Sequence, residues 1–186
     1  MATRTAVRPG GRSARVQQAV HQAVQDLEAE VGRAGLTVPL IAARAGVTPS
    51  TVYRRWGDLQ ALLADVAVQR LRPEGPPADH GSLRADLQAW AEQFLEEMSS
   101  QVGVVYIRDA LAGDPAGGGA ARCSDYAVEQ LKAIGVRAAG RGEAVPEVES
   151  LLDRVVAPVM YRILFRPDGL STEYVHRLVA AALDPS

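Results

Sequence analysis

Apolar residues recur at three- and four-residue steps along most of this chain, the spacing that gathers them on one face of an α-helix. Val16, Ala19, Val20, Ala23, Val24, Leu27 and Val31 follow it, with Gln17, Gln18, Gln22, Gln25 and Glu28 on the other side, which predicts a helix from Ser13 to about Gly32. A shorter stripe is Val38, Ile41, Ala42 and Ala45, with Thr37 placed to cap it and Gly46 where the helix must stop. Thr48 supplies another cap, and Pro49 stands at a first helical position, where its missing N–H costs nothing. Val47 and Val52 point inward from that third helix. A further stripe from Asp58 to about Leu71 is cut off by Arg72-Pro73-Glu74-Gly75-Pro76-Pro77, because proline cannot continue a helix.

The periodicity persists beyond this break. Leu83, Leu87, Trp90, Ala91, Phe94, Leu95 and Met98 predict a helix between Ser82 and Ser100. A shorter one, Val104 to Leu111, stops at Gly113-Asp114-Pro115, and Gly117 to Gly119 read as a flexible loop. Cys123, Ala127, Leu131 and Ile134 share a face between Ala120 and about Ala139. The most apolar helix runs from Val148 to Leu164, with Pro158 inside it as a predicted kink, and a last helix spans Thr172 to Leu183. No strand-like alternation appears. The expectation is an all-α protein of about nine helices: a basic arm over residues 1–13, a three-helix domain with its linking helix over 14–72, and a larger helical bundle over 73–186.

Composition changes this picture little, but charge does. The net charge of −2 over 186 residues divides into +5 through Arg72 and −7 after it. A basic front on an acidic body is what a phosphate-binding module attached to a domain that does not touch DNA would show, although scattered solvated charges give the same count. Arg4, Arg8 and Arg12 of the arm could reach DNA phosphates or the minor groove, although such an arm is more often only a disordered terminus. His21, His80 and His176 are scattered, so neither a metal set nor a catalytic constellation is expected. The glycine run lacks the lysine and hydroxyl of a phosphate loop, and no cofactor is expected. A single Cys123 excludes an internal disulfide and fits a reducing cytoplasm. No apolar run approaches the roughly 20 residues of a membrane span, and the N-terminus lacks a secretory signal's apolar segment.

Between Thr37 and Trp56, then, two short helices meet at a tight turn, and the second presents Ser50, Thr51, Tyr53, Arg54 and Arg55 on its outer side. Small hydroxyls, a tyrosine and arginines on a short helix suit the major groove of DNA. The run GLTVPLIAARAGVTPSTVYRRWGDLQALL resembles the DNA-binding domain of the TetR (tetracycline-repressor) family of bacterial transcriptional regulators. The features that carry the resemblance are Ala42-x-x-Ala45-Gly46-Val47, the Thr48 cap, Tyr53-Arg54-x-Trp56 and the Leu62-Leu63 pair, over about 60 residues in one register.

The resemblance implies that Val52 packs into the core and that Tyr53 presses its ring and hydroxyl against a phosphate. It implies that Ser50, Thr51 and Arg54 meet base edges or nearby backbone, that Thr48 bonds a phosphate and that Pro49 touches a thymine methyl. Arg55 would contact phosphate or remain in solvent. Three positions depart from the family. Trp56 replaces the usual phenylalanine, Leu59 stands where many members carry a phosphate-binding lysine, and Leu40 where many carry the acidic half of a capping box.

For the body, the resemblance implies a homodimer paired through the last two helices. The helix from Val148 to Leu164 is also too apolar around its circumference for one small chain to cover. It further implies an effector pocket, for which Trp90, Phe94, Met98, Tyr106, Tyr126 and Tyr161 are the candidate walls, although such residues serve equally as ordinary core. The resulting expectation is a cytoplasmic, dimeric repressor that binds double-stranded DNA at a palindromic operator and is released by a small apolar or amphipathic molecule. The alternative is a helical ligand-binding or protein-interaction module that does not bind DNA. An enzyme would need a convergent acid–base or metal set that the sequence does not offer.

Overall fold

The computed structural model describes residues 10–113 and 118–184, and every regular element among them is helical. Counted once, the interrupted helix between Val148 and Phe165 brings the total to nine α-helices among the described residues. The chain forms two compact units that divide after Val66. That division falls inside a helix, whereas the proline-rich segment is the boundary expected from composition. The reason lies in what the helix buries. Leu62, Leu63 and Val66 belong to the core of the first unit, while Ala67 and Val68 join a small cluster with Ala110 in the second.

In the first unit α1 (Gly10–Val31), a 3-10 turn (Arg33–Gly35), α2 (Val38–Arg44) and α3 (Pro49–Trp56) precede α4 (Leu59–Arg70). Helix α1 starts earlier than the sequence suggests, so Arg12 and Ser13 of the expected arm are helical; Arg4 and Arg8 lie outside the described residues. Val20, Val24, Leu27, Ile41, Val52 and Leu62 are fully buried together, each removal from water contributing about 1.5–3 kcal/mol. Gly46 takes the left-handed conformation (φ 67°) that ends α2, and Val47 N donates to Ala42 O five residues back, closing the turn. Thr37 Oγ1 accepts from Leu40 N at 3.4 Å, and Asp58 Oδ1 caps α4 by accepting from Ala61 N at 2.8 Å. Thr48 occupies the cap position of α3 by backbone only. Its hydroxyl makes no capping bond and lies 2.9 Å from Ser50 Oγ and 3.0 Å from Thr51 Oγ1.

The second unit is built around α5 (Leu83–Ser99), which packs on α6 (Gln101–Ala112), α7 (Gly118–Gly140), α9 (Ala157–Phe165) and α10 (Thr172–Leu183). Leu83, Leu87, Trp90, Ala91 and Leu95 form its buried face, and Val175, Val179 and Ala182 of α10 meet the same core. The corner from α5 to α6 is tight. Ser100 Oγ donates to Glu97 O and accepts from Gly103 N, and a Cβ on Gly103 would overlap the Glu97 carbonyl. Gly118 and Gly119 open α7, where a loop was expected, because the apolar face through Ala127, Leu131 and Ile134 outweighs weak local propensity; Asp114, Pro115 and Gly117 lie outside the described residues.

The expected Pro158 kink takes the form of a widened turn. Helix α8 (Val148–Leu151) leads into a π turn (Leu152–Val156), where Ala157 N donates to Leu152 O, and then into α9. Widening the turn ahead of Pro158 relieves the crowding that its ring imposes on the preceding residues.

Candidate nucleic-acid interface

Val52 is the buried residue of α3, and the helix turns most of its remaining surface outward. Pro49, Ser50, Tyr53, Arg54 and Arg55 are exposed, as is Thr48 before them, while Thr51 is half-buried. Tyr53 leaves 48% of its surface open to solvent, much for an aromatic ring with no structural partner to cover. Three hydroxyls, from Thr48, Ser50 and Thr51, cluster at the N-terminal end of the helix, where backbone N–H groups and the helix dipole favour a negative group. The surface therefore offers donors at one end, an amphipathic ring in the middle and the Arg54 guanidinium beyond it.

A polar clasp orients the other end of α3, and most of it was not legible in the sequence. Asp65 of α4 accepts at Oδ2 from Trp56 Nε1 at 2.9 Å and from Gln17 Nε2 at 2.8 Å, and it meets His21 Nε2 at 3.0 Å. One carboxylate oxygen thus joins α1, α3 and α4. Burial pushes the Asp65 carboxyl up, but the bonds from His21, Trp56 and Gln17 outweigh it and hold the group down at about 2. His21, with no partner expected for it, is buried in this cluster. The sequence signal was a lone acid inside the apolar run LLADVAV; its partner on α1 is 44 residues away and could not be deduced.

Arg55 extends the clasp. Its Nη1 donates to Ser13 Oγ at 2.6 Å and Ser13 O at 3.2 Å, its Nη2 to Gln17 Oε1 at 2.7 Å, and its guanidinium lies over the Trp56 ring. A phosphate contact by Arg55 would exchange those bonds, whereas Arg54 has no partner among the described residues to give up.

The second unit holds a cavity of about 580 Å³, within the range of small-molecule sites. Trp90, Phe94, Met98 and Tyr126 of the candidate walls border it. Tyr106 and Tyr161 do not. Tyr106 packs beside Ala67, Val68 and Ala110, and Tyr161 stands 56% exposed on α9 next to Phe165. The segment from Arg72 to Pro77 forms part of the mouth and is fixed to α7: Gln130 Nε2 donates to Gly75 O, and Arg137 donates to Pro77 O and Ala78 O. Behind it, the fully buried Asp86 carboxylate takes His80 N at 2.6 Å and Arg141 Nη2 at 3.0 Å, with Arg137 at 3.4 Å. Burial raises the Asp86 carboxyl, and these donors together hold it below the ordinary carboxylate range.

A capped pair of short helices with an outward-facing, cationic and hydroxyl-bearing second helix, set on an all-helical chain with a cavity, defines a helix-turn-helix DNA-binding regulator. Comparison with known proteins gives the family. Residues 77–182 match the model described as "Tetracyclin repressor-like, C-terminal domain", and residues 25–66 match "Bacterial regulatory proteins, tetR family". The chain belongs to the TetR family of transcriptional regulators. It is 29% identical over 171 residues to the uncharacterized HTH-type transcriptional regulator YdeS of Bacillus subtilis (strain 168), covering 89% of this chain and 86% of that one. It is 31% identical over 97 residues to the HTH-type transcriptional regulator AqdR of Rhodococcus erythropolis, 52% of this chain and 47% of that one. Among solved structures, TetR family transcription regulator SCO0332 superposes with a TM-score of 0.67 at 25% identity, covering 92% and 98% of the two chains. No helix among the described residues is long and apolar enough to cross a membrane.

Proposed function

We propose that this regulator is a cytoplasmic homodimeric repressor whose α3 helices enter successive major grooves of a palindromic operator, and that a small molecule in the second-unit cavity releases it. The observation that carries the DNA half is the exposed face of α3, where Ser50, Tyr53 and Arg54 stand in solvent around the single buried anchor Val52. In this reading Tyr53 and Thr48 take phosphates, and Ser50, Thr51 and Arg54 reach base edges or adjacent backbone. Pro49 lies against a thymine methyl, and Arg55 holds the helix to α1 or exchanges that role for a phosphate.

Pairing through α9 and α10 is supported by a face of α9 that nothing among the described residues covers. Ala157, Tyr161 and Phe165 recur at four-residue steps on α9 and are exposed, Phe165 to 70%. Release by ligand is supported by the run of α4, one unbroken helix from Leu59 to Arg70, whose last residue, with Leu71, stands on the cavity wall. A ligand that favours one arrangement of that wall shifts the population of DNA-binding states by its differential affinity. Footprinting on DNA flanking the gene tests the proposal. Two protected half-sites about one helical turn of DNA apart are expected, and a single unpaired footprint overturns the dimeric half of it.

A further inference from the structure

The cavity is not uniform, and its gradient says what it is built to hold. Its deep end is Trp90, Ile107, Ala110 and Ala127, each buried and none able to carry charge. Its charged side chains among the described residues, Arg70, Arg72, Glu74 and Glu97, are all exposed at the mouth and are of mixed sign. A charged group carried to the deep end would lose its hydration and find no partner, at a cost that no apolar contact recovers.

The walls differ as well. Helix α5 contributes a stripe of rings and a thioether: Trp90 and Phe94 lie stacked, with centroids 5.2 Å apart and planes inclined by 21°, and Met98 follows one turn on. Helix α7 contributes small side chains, Ala120, Cys123, Ser124 and Ala127, which leave room where large residues would fill it. Met160 adds a second adaptable thioether from α9. Burial pushes the Cys123 thiol up, so this wall too is neutral near pH 7. At the mouth, the Gln93 and Gln130 amides each donate one N–H, to Glu97 and to Gly75 O, and these bonds hold the amides with their carbonyl oxygens available to accept from a ligand's polar end.

We infer that the cavity selects a planar aromatic molecule, uncharged over its buried part, that stacks on the Trp90–Phe94 wall and donates a hydrogen bond from one polar end at the mouth. This rests on the reading of the cavity as the effector site but narrows it to a chemical class. Offset stacking and ring–thioether contacts reward a π face beyond the area it buries. A saturated molecule of the same outline gains only the area.

The experiment titrates the full-length protein calorimetrically with three probes: 2-naphthol, its saturated counterpart decahydro-2-naphthol, and naphthalene-2,6-disulfonate. The alcohols share carbon skeleton and hydroxyl position and differ in the flat π face, and the disulfonate cannot enter without carrying a charge inward. Expected is a preference for 2-naphthol over the saturated alcohol of about three- to tenfold, the factor that aromatic pairing is worth, and no heat from the disulfonate. Trp90→Leu, or the less buried Phe94→Leu if the first variant loses its helical circular dichroism, should abolish the preference while changing decahydro-2-naphthol binding less than about twofold. Equal affinity for the two alcohols, disulfonate binding, or no binding of any probe overturns the inference. The same probes added to the protein–operator complex keep the two readings separate. DNA release by the saturated alcohol with no aromatic preference would retain the sensor and remove the ligand class. Selective 2-naphthol binding that leaves the complex intact would do the reverse.

Discussion

Trp56→Phe keeps an aromatic ring at the end of α3 and removes one donor, the indole N–H that reaches Asp65 Oδ2 at 2.9 Å. A hydrogen bond to a charged acceptor contributes about 1.5–3 kcal/mol net. Asp65 retains Gln17 and His21 as partners, and its side chain is 19% exposed, so water can replace part of what is lost. That places the pairwise interaction near the lower end, about 1.5 kcal/mol. The ring change has its own cost in buried area, and a double-mutant cycle removes it: Trp56→Phe, Asp65→Asn and the double variant, each unfolded in urea at one protein concentration and followed by far-UV circular dichroism. The double variant is expected to be more stable than the sum of the single losses predicts, by about 1.5 kcal/mol at unchanged slope. Additivity within about 0.5 kcal/mol would refute the clasp as an energetic link between α3 and α4.

Three further outcomes follow from the same contacts. Asp65 is held at about 2 against an ordinary 3.8, so its bonds contribute about 2 kcal/mol that is fully present above pH ~4 and disappears as pH falls toward 2. Asp86, shifted in the same direction, adds to this loss. Acid titration of the unfolding midpoint should show the decline in that window, and Asp65→Asn should flatten part of it. Gly103→Ala forces a methyl into the Glu97 carbonyl and should cost about 1–3 kcal/mol or more, measured by thermal melting. Arg55→Ala should loosen α3 from α1 and lower stability by about 1 kcal/mol or less, since its partners are exposed. The salt dependence of DNA binding in that variant separates a clamp, which leaves the slope unchanged, from a phosphate contact, which lowers it.

The fold was legible because helical periodicity and turn chemistry agree nearly everywhere. Gly46 is left-handed where the second helix had to stop, and Val52 is buried where the spacing put it. What was not legible needed partners distant in sequence. Asp65 is one acid among many until α1 delivers Gln17 and His21 to it. Asp86 sits on a helix face that Arg137 and Arg141 reach only after α7 packs beside α5. The cavity was half visible: an aromatic stripe on α5 could be read, but the small residues on α7 that make it a wall and not core could not. Likewise nothing local distinguishes Tyr126, which borders the cavity, from Tyr161, which stands outside it.

The central claim is that the outward face of α3 reads DNA. Fluorescence anisotropy with a labelled duplex from the region flanking the gene, repeated across a salt series, tests it directly. The logarithm of the binding constant should fall linearly with that of salt concentration. Arg54→Ala and Tyr53→Phe should each weaken binding, Arg54→Ala by about 1–3 kcal/mol if it meets a base edge, or with a slope reduced by about one phosphate's worth if it meets the backbone. Wild-type affinity and slope in both variants would contradict the account.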